Sequence, residues 1–134
     1  MPHAVHIHYG EEARHECPTP GRDDDGDRML SASEGGPAYG PIVASLTTSG
    51  TVGPENALEL GLFSTAPGGV MDYRHGGIVG ADTVGDIRDR EGVVVVHGVD
   101  HDHDGTYGFG PGASELDPSL PREGTDVAAC GVLR

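Results

Sequence analysis

Glycine and proline set the limits on what this chain can fold into. It carries 23 glycines and 10 prolines. Both disfavour helix interiors, glycine through the backbone entropy it loses and proline through its missing N–H. A helical bundle is excluded on that ground, which leaves a turn-rich β protein or a partly disordered chain. High net charge with modest hydrophobicity is the composition of disorder. Residues 10–40 have it, whereas the later chain holds branched-aliphatic runs of strand length. At 134 residues the sequence amounts to one domain.

Charge removes several classes of partner. The 22 acidic residues face 8 basic ones, all of them arginine, for a formal net charge of −14. A binder of nucleic acid or of an anionic membrane needs a large basic patch, and this chain cannot assemble one. Its longest apolar run is Val93-Val94-Val95-Val96. Membrane insertion needs roughly 20 apolar residues in one helix, so none is expected.

Strand signals are short and far apart. Residues 3–9 (His-Ala-Val-His-Ile-His-Tyr) alternate with the period of a half-buried strand. Residues 10–40 read as one long acidic loop, and the signals resume at Ile42–Thr48. A turn covers Ser49–Pro54, and Ala57–Phe63 suits either a strand or a short helix. Val70–Tyr73 reads as a weak strand, and Ala81–Arg90 as a turn or one helical turn. Gly92–His97 is apolar on both faces, as expected of a strand between two layers. Residues 98–125 read as loop, and Ala128–Leu133 closes the chain as a strand. Short strands between long loops predict an all-β single domain, a Greek-key β-sandwich or barrel.

The histidines carry the chemistry. His6 and His8 stand two apart on a predicted strand, so both rings leave one face. His97 ends the valine strand, and an antiparallel pairing brings it beside them. Three converging imidazoles suit copper or zinc. His15 and His75 are further candidates for a fourth ligand. Cys17 and Cys130, the two cysteines, are open to two readings: one bridge, or two unrelated buried thiols.

Taken in order, these islands resemble the copper/zinc superoxide dismutases. They are His6-Ile7-His8, Cys17, Val95-Val96-His97 with an acidic glycine-rich loop after it, and Ala129-Cys130-Gly131-Val132. The resemblance spans most of the chain in order but only these short stretches in letters. Pro41–Arg74 looks more like the divergent, CHRD-type β-sandwiches of bacteria and archaea. The resemblance implies a Greek-key sandwich, copper on His6, His8 and His97, a Cys17–Cys130 disulfide, and dismutation of superoxide to dioxygen and hydrogen peroxide. The cysteine pair implies an extracytoplasmic protein, although no secretory signal precedes His3. The family has strands ahead of its His-x-His strand, so an N-terminally incomplete domain is expected. Such a domain exposes a sheet edge through which it could form a homodimer.

Departures from the family narrow that expectation. Asp23 stands where the family's bridging histidine would fall, and residues 18–40 contain no histidine. Zinc is therefore not expected. Val127 stands at the position of the anion-guiding arginine, which leaves Arg122, in the same loop, as the candidate substitute. The alternative function is a non-catalytic, CHRD-like binding or structural sandwich with calcium at an acidic loop. Asp100, Asp102 and Asp104, followed by Gly105, have the spacing of the first half of a calcium loop. The twelfth position is Pro111, where a bidentate glutamate would be needed. Asp23–Asp27 reads as solvated loop, because Gly26 has the wrong offset.

Overall fold

The computed structural model describes residues 1–76 and 80–134. Four strands, β1 (Val5–His8), β2 (Ile42–Ser45), β3 (Val93–His97) and β4 (Val127–Val132), form one antiparallel sheet in the order β2-β1-β3-β4. Valine and isoleucine supply much of each strand, and their branched side chains pack well on a pleated surface. β1 and β3 lie at the centre. All four residues of β1 are buried, and β3 alternates buried with half-buried positions. The fold is therefore β-rich, and among the described residues it contains this single sheet.

Two helices flank the strands. The first, α1, runs from Ala32 to Tyr39, inside the stretch that reads as loop in the sequence. Ser31 accepts a hydrogen bond from the Glu34 N–H, and the Glu34 carboxylate accepts from the Ser31 N–H. That reciprocal cap satisfies two donors a helix start leaves unpaired. It outweighs two glycines and a proline, Pro37, within the helix. The second, α2, spans Ala81–Arg88, about twice the single turn expected. Ile87 of α2 gathers with Ile7 and Leu133 around Gly92, so this helix packs against the face of the sheet that Ile7 occupies.

Two further expectations change. Val70–Tyr73 forms no strand; Val70 is exposed and no neighbouring chain offers a ladder there. Between Ala57 and Phe63 the chain makes a short 3-10 turn at Leu60–Leu62, which ends with Phe63 buried. On the sheet's other face, Tyr39, Val93 and Val95 form the core, with Cys17, Val127 and Cys130 packed against it. Cys17 and Cys130 are joined by a disulfide that ties the loop after β1 to β4 across 113 residues of sequence. No helix among the described residues is long and apolar enough to cross a membrane.

Candidate metal centre

Strand register brings the three histidines together. His6 pairs with Val95 and His8 with Val93, and residues directly opposite in an antiparallel ladder share a face. His97 lies two residues beyond Val95 and so emerges on that same face. A shift in the β3–β4 ladder falls between Val96 and His97, at the point where the histidine side chain must be aimed.

Ring centroids lie 5.7 Å apart for His6 and His8, 5.3 Å for His6 and His97, and 5.9 Å for His8 and His97. One nitrogen from each ring lies within 4.8 Å of the other two. All three side chains are buried, at 2%, 3% and 4% exposure.

The second nitrogen of each ring faces a backbone carbonyl. His6 Nε2 is 3.0 Å from Ala57 O, His8 Nδ1 is 2.7 Å from Gly40 O, and His97 Nδ1 is 2.7 Å from Thr125 O. A carbonyl oxygen only accepts, so each of these nitrogens carries the proton. The remaining nitrogens, His6 Nδ1, His8 Nε2 and His97 Nε2, hold lone pairs; all three are buried and have no hydrogen-bond partner. Buried polar atoms normally find one. Three unpartnered lone pairs on clustered histidines can serve as the donor set of a cation, and carbonyl-oriented imidazoles are how proteins aim metal ligands.

Protonation is suppressed at all three rings. Burial, reinforced by the neighbouring His97 and His8, lowers the pKa of His6 to about 3. Burial likewise lowers His8 to about 4, against the opposing effect of its bond to Gly40. His97 is also lowered, again by burial. The rings are thus neutral and able to ligate at physiological pH.

Aromatic groups wall the site. Tyr39 lies edge-on to His8 with ring centroids 4.4 Å apart, and Phe63 stands 5.4 Å from His6. The Tyr39 hydroxyl donates to Ala32 O across 2.8 Å, and burial raises its pKa. Its ring presses on Gly35, where an added Cβ would sit 2.6 Å from Tyr39 Cε1. Helix α1 therefore serves the site through Tyr39 and, at its end, through Gly40.

Other candidates lie elsewhere. His15 Nε2 is bonded to Gly10 O, with the ring stacked on Tyr9, and His75 is exposed beside Tyr73. Neither belongs to the histidine group. Arg122 is held by Asp27 and by the buried Asp126, whose other oxygen is 3.0 Å from His101 Nε2. It does not line the cavity beside the histidines. Val127, at the expected arginine position, packs against the core.

Two acidic loops gather carboxylates. Asp100, Asp102 and Asp104 bring an oxygen each within 4.8 Å of the others, and so do Asp23, Asp25 and Asp27. In the first loop Asp100 accepts from the Asp104 and Gly105 N–H groups. In the second, Asp23 accepts from the N–H groups of Gly26, Asp27 and Arg28, and Arg28 takes the positive φ of 70°. Glu34 stands at the twelfth position counted from Asp23. That offset, the same one that identifies Pro111 as a mismatch in the other loop, is the sequence signal for this cluster.

Sequence reasoning also passed over Tyr39 and the three carbonyl oxygens. Backbone acceptors leave no trace in residue identity, but the Ser31-x-x-Glu34 capping signature could have placed the helix that supplies two of these groups. Set against protein-family models, characterised proteins and solved structures, the chain matches none.

Proposed function

We propose that this protein binds one copper ion through His6 Nδ1, His8 Nε2 and His97 Nε2. The observation that carries the reading is the set of three buried, unpartnered ring nitrogens directed at one another. Imidazole nitrogen suits copper. Copper supplies one-electron redox chemistry when bound. The chain's own contribution is to keep the rings neutral, fix their tautomers through Ala57, Gly40 and Thr125, and exclude water.

The order His6-x-His8, Cys17, His97, Cys130 supports kinship with the superoxide-dismutase-like proteins, and with it a Greek-key arrangement of the sheet. In support of that arrangement, β3 enters beside β1 after a long connection from β2. Dismutation of superoxide is the activity this kinship brings. Against it stands Arg122, whose guanidinium is engaged by Asp27 and Asp126. Copper binding is therefore the function proposed, and dismutation its extension.

Titrating His6→Ala and His97→Ala variants with copper tests the reading. Each loses most of the wild-type affinity; unchanged affinity in both overturns the site. Parallel assays of superoxide decay against free copper decide the extension.

A second reading has its own observation. Each acidic loop gathers three carboxylates, and such oxygen clusters suit calcium. A non-catalytic, calcium-stabilised sandwich predicts a melting temperature that rises with calcium and falls back on Asp102→Ala substitution.

A further inference from the structure

His6, His8 and His97 help line a cavity of about 200 Å³ whose walls are mostly apolar. Ala32, Ile42, Leu58, Leu60 and Leu116 supply much of its surface. Among the described residues no aspartate, glutamate or arginine lines it. Of the polar atoms around the histidines, the Ala57, Gly40 and Thr125 carbonyls accept from the rings and the Tyr39 hydroxyl donates to Ala32 O; the buried Ser45 hydroxyl, on the residue paired with His6, has no partner, but it is neutral and Ser45 is not part of the lining. The Glu115 carboxylate accepts from the Ser33 N–H and is not part of the lining.

Two physical consequences follow for an ion held here. All three ligands are neutral, so the ion keeps its whole charge in surroundings that solvate it poorly. The cost of removing an ion from water grows with the square of its charge; neutral ring nitrogens repay part of it, and a partner of opposite charge repays more. No such partner lines the cavity, which penalises a divalent ion far more than a monovalent one. Coordination number acts in the same direction. Divalent copper prefers a tetragonal set of nitrogen and oxygen ligands, and a structural zinc site takes four. The lining offers the ion three ring nitrogens, so a fourth ligand would have to come from outside it. Monovalent copper, a closed-shell ion, is satisfied by three.

We infer that the site selects by charge, holding copper as Cu(I) in preference to Cu(II) or zinc. The inference rests on the proposed copper site and adds the ion's valence to it. Its consequence is a site suited to holding copper(I), as a copper(I) carrier does. Leu116 marks the point of control. It lines the cavity and is 48% exposed, so a carboxylate placed there adds the missing negative charge without burying it fully.

The test uses the intact, disulfide-bonded chain. Cu(I) affinity is measured anaerobically by competition with a chromogenic Cu(I) chelator, and Cu(II) and zinc affinities by competition with an aminocarboxylate chelator. The expected result is dissociation constants for Cu(II) and zinc at least about a hundredfold above that for Cu(I), roughly two decades of affinity. Leu116→Glu narrows that ratio about tenfold by strengthening Cu(II) binding, while Leu116→Gln leaves it unchanged. Tight Cu(II) binding at or above the Cu(I) affinity overturns the selectivity and leaves the copper site standing. A ratio that Leu116→Glu does not move overturns the charge argument. Failure of either copper ion to bind, with His6→Ala indistinguishable from wild type, overturns the site itself and the inference with it.

Discussion

His8 donates its Nδ1–H to the carbonyl oxygen of Gly40 across 2.7 Å, joining the first strand to the end of helix α1 over 32 residues of sequence. Gly40 holds this position with φ of 85°, in the left-handed region, and an added Cβ would fall 2.9 Å from the Gly10 nitrogen. A residue with no side chain thus aims the carbonyl that fixes the tautomer of His8, one of the proposed copper ligands.

Gly40→Ala disturbs both strain and aim. Forcing a Cβ into a left-handed, crowded position costs about 2 kcal/mol of stability. Disturbing the partner of a metal-binding histidine weakens metal affinity about tenfold. Gly26→Ala is the control, since Gly26 has φ of 77° but nothing within 4 Å of its added Cβ. Urea unfolding and Cu(I) competition on both variants check this: Gly26→Ala lowers stability somewhat and leaves copper affinity intact.

The metal-free protein loses stability in mild acid. Above about pH 6.5 a histidine in the unfolded chain is neutral, and so are His6 and His8 in the fold, with pKa values of about 3 and 4. No proton is taken up by these groups on unfolding there. As pH falls below about 6.5 toward 4, the unfolded chain binds protons that the folded rings refuse. Unfolding then becomes easier by up to about 1.4 kcal/mol per pH unit for each imidazole. Denaturant midpoints at pH 7, 5.5 and 4.5 measure the slope, and a His6→Gln/His8→Gln double variant subtracts the carboxylates. Identical slopes in the two proteins contradict the assignment. Copper affinity, by contrast, stays level between pH 8 and 5, because the folded ligands remain neutral.

Breaking the disulfide frees a loop of 113 residues in the unfolded chain. The chain-entropy cost of closing a loop of that size predicts a loss of about 5 kcal/mol. Cys17→Ser/Cys130→Ser and the reduced wild type shift to lower urea midpoints by similar amounts. A difference between them points instead to lost packing of the two sulfurs against the core formed by Tyr39, Val93 and Val95.

Arg122 holds the fold together away from the cavity that the three histidines line. Its guanidinium binds Asp27 and Asp126, and Asp126 is 1% exposed. Arg122→Ala leaves that buried carboxylate with His101 as its remaining side-chain partner, at a cost of about 3 kcal/mol. Copper affinity at a temperature well below unfolding stays at the wild-type value. Loss of any metal-dependent activity with stability intact would instead make Arg122 a substrate guide.

Local patterns in the sequence anticipate a large part of this protein. The period-2 alternation around His6 and His8, and the placement of His97 at the end of four valines, name all three ring donors. Side-chain direction in a strand is set by the backbone alone, so such placements can be read without coordinates. The acidic residues with the wrong glycine offset are harder to read. Arg28, at the sixth position from Asp23 where a glycine is the expected residue, takes a positive φ of 70°, and residue identity gives little warning of a left-handed arginine. Helix α1 was hidden by its two glycines and Pro37, although Ser31 and Glu34 carry its start signal.

What the sequence by itself determined is the supply of parts: β-rich strands, two cysteines, and histidines at spacings that send their rings to one side. Tertiary structure alone decided that the ring nitrogens meet, that Cys17 and Cys130 join, and that the facing cavity contains no charge. Strand patterns are local and arise from chain geometry. Register between strands, the carbonyls that orient each ring and the lining of a cavity depend on residues 30 to 110 positions apart, which only packing brings into contact.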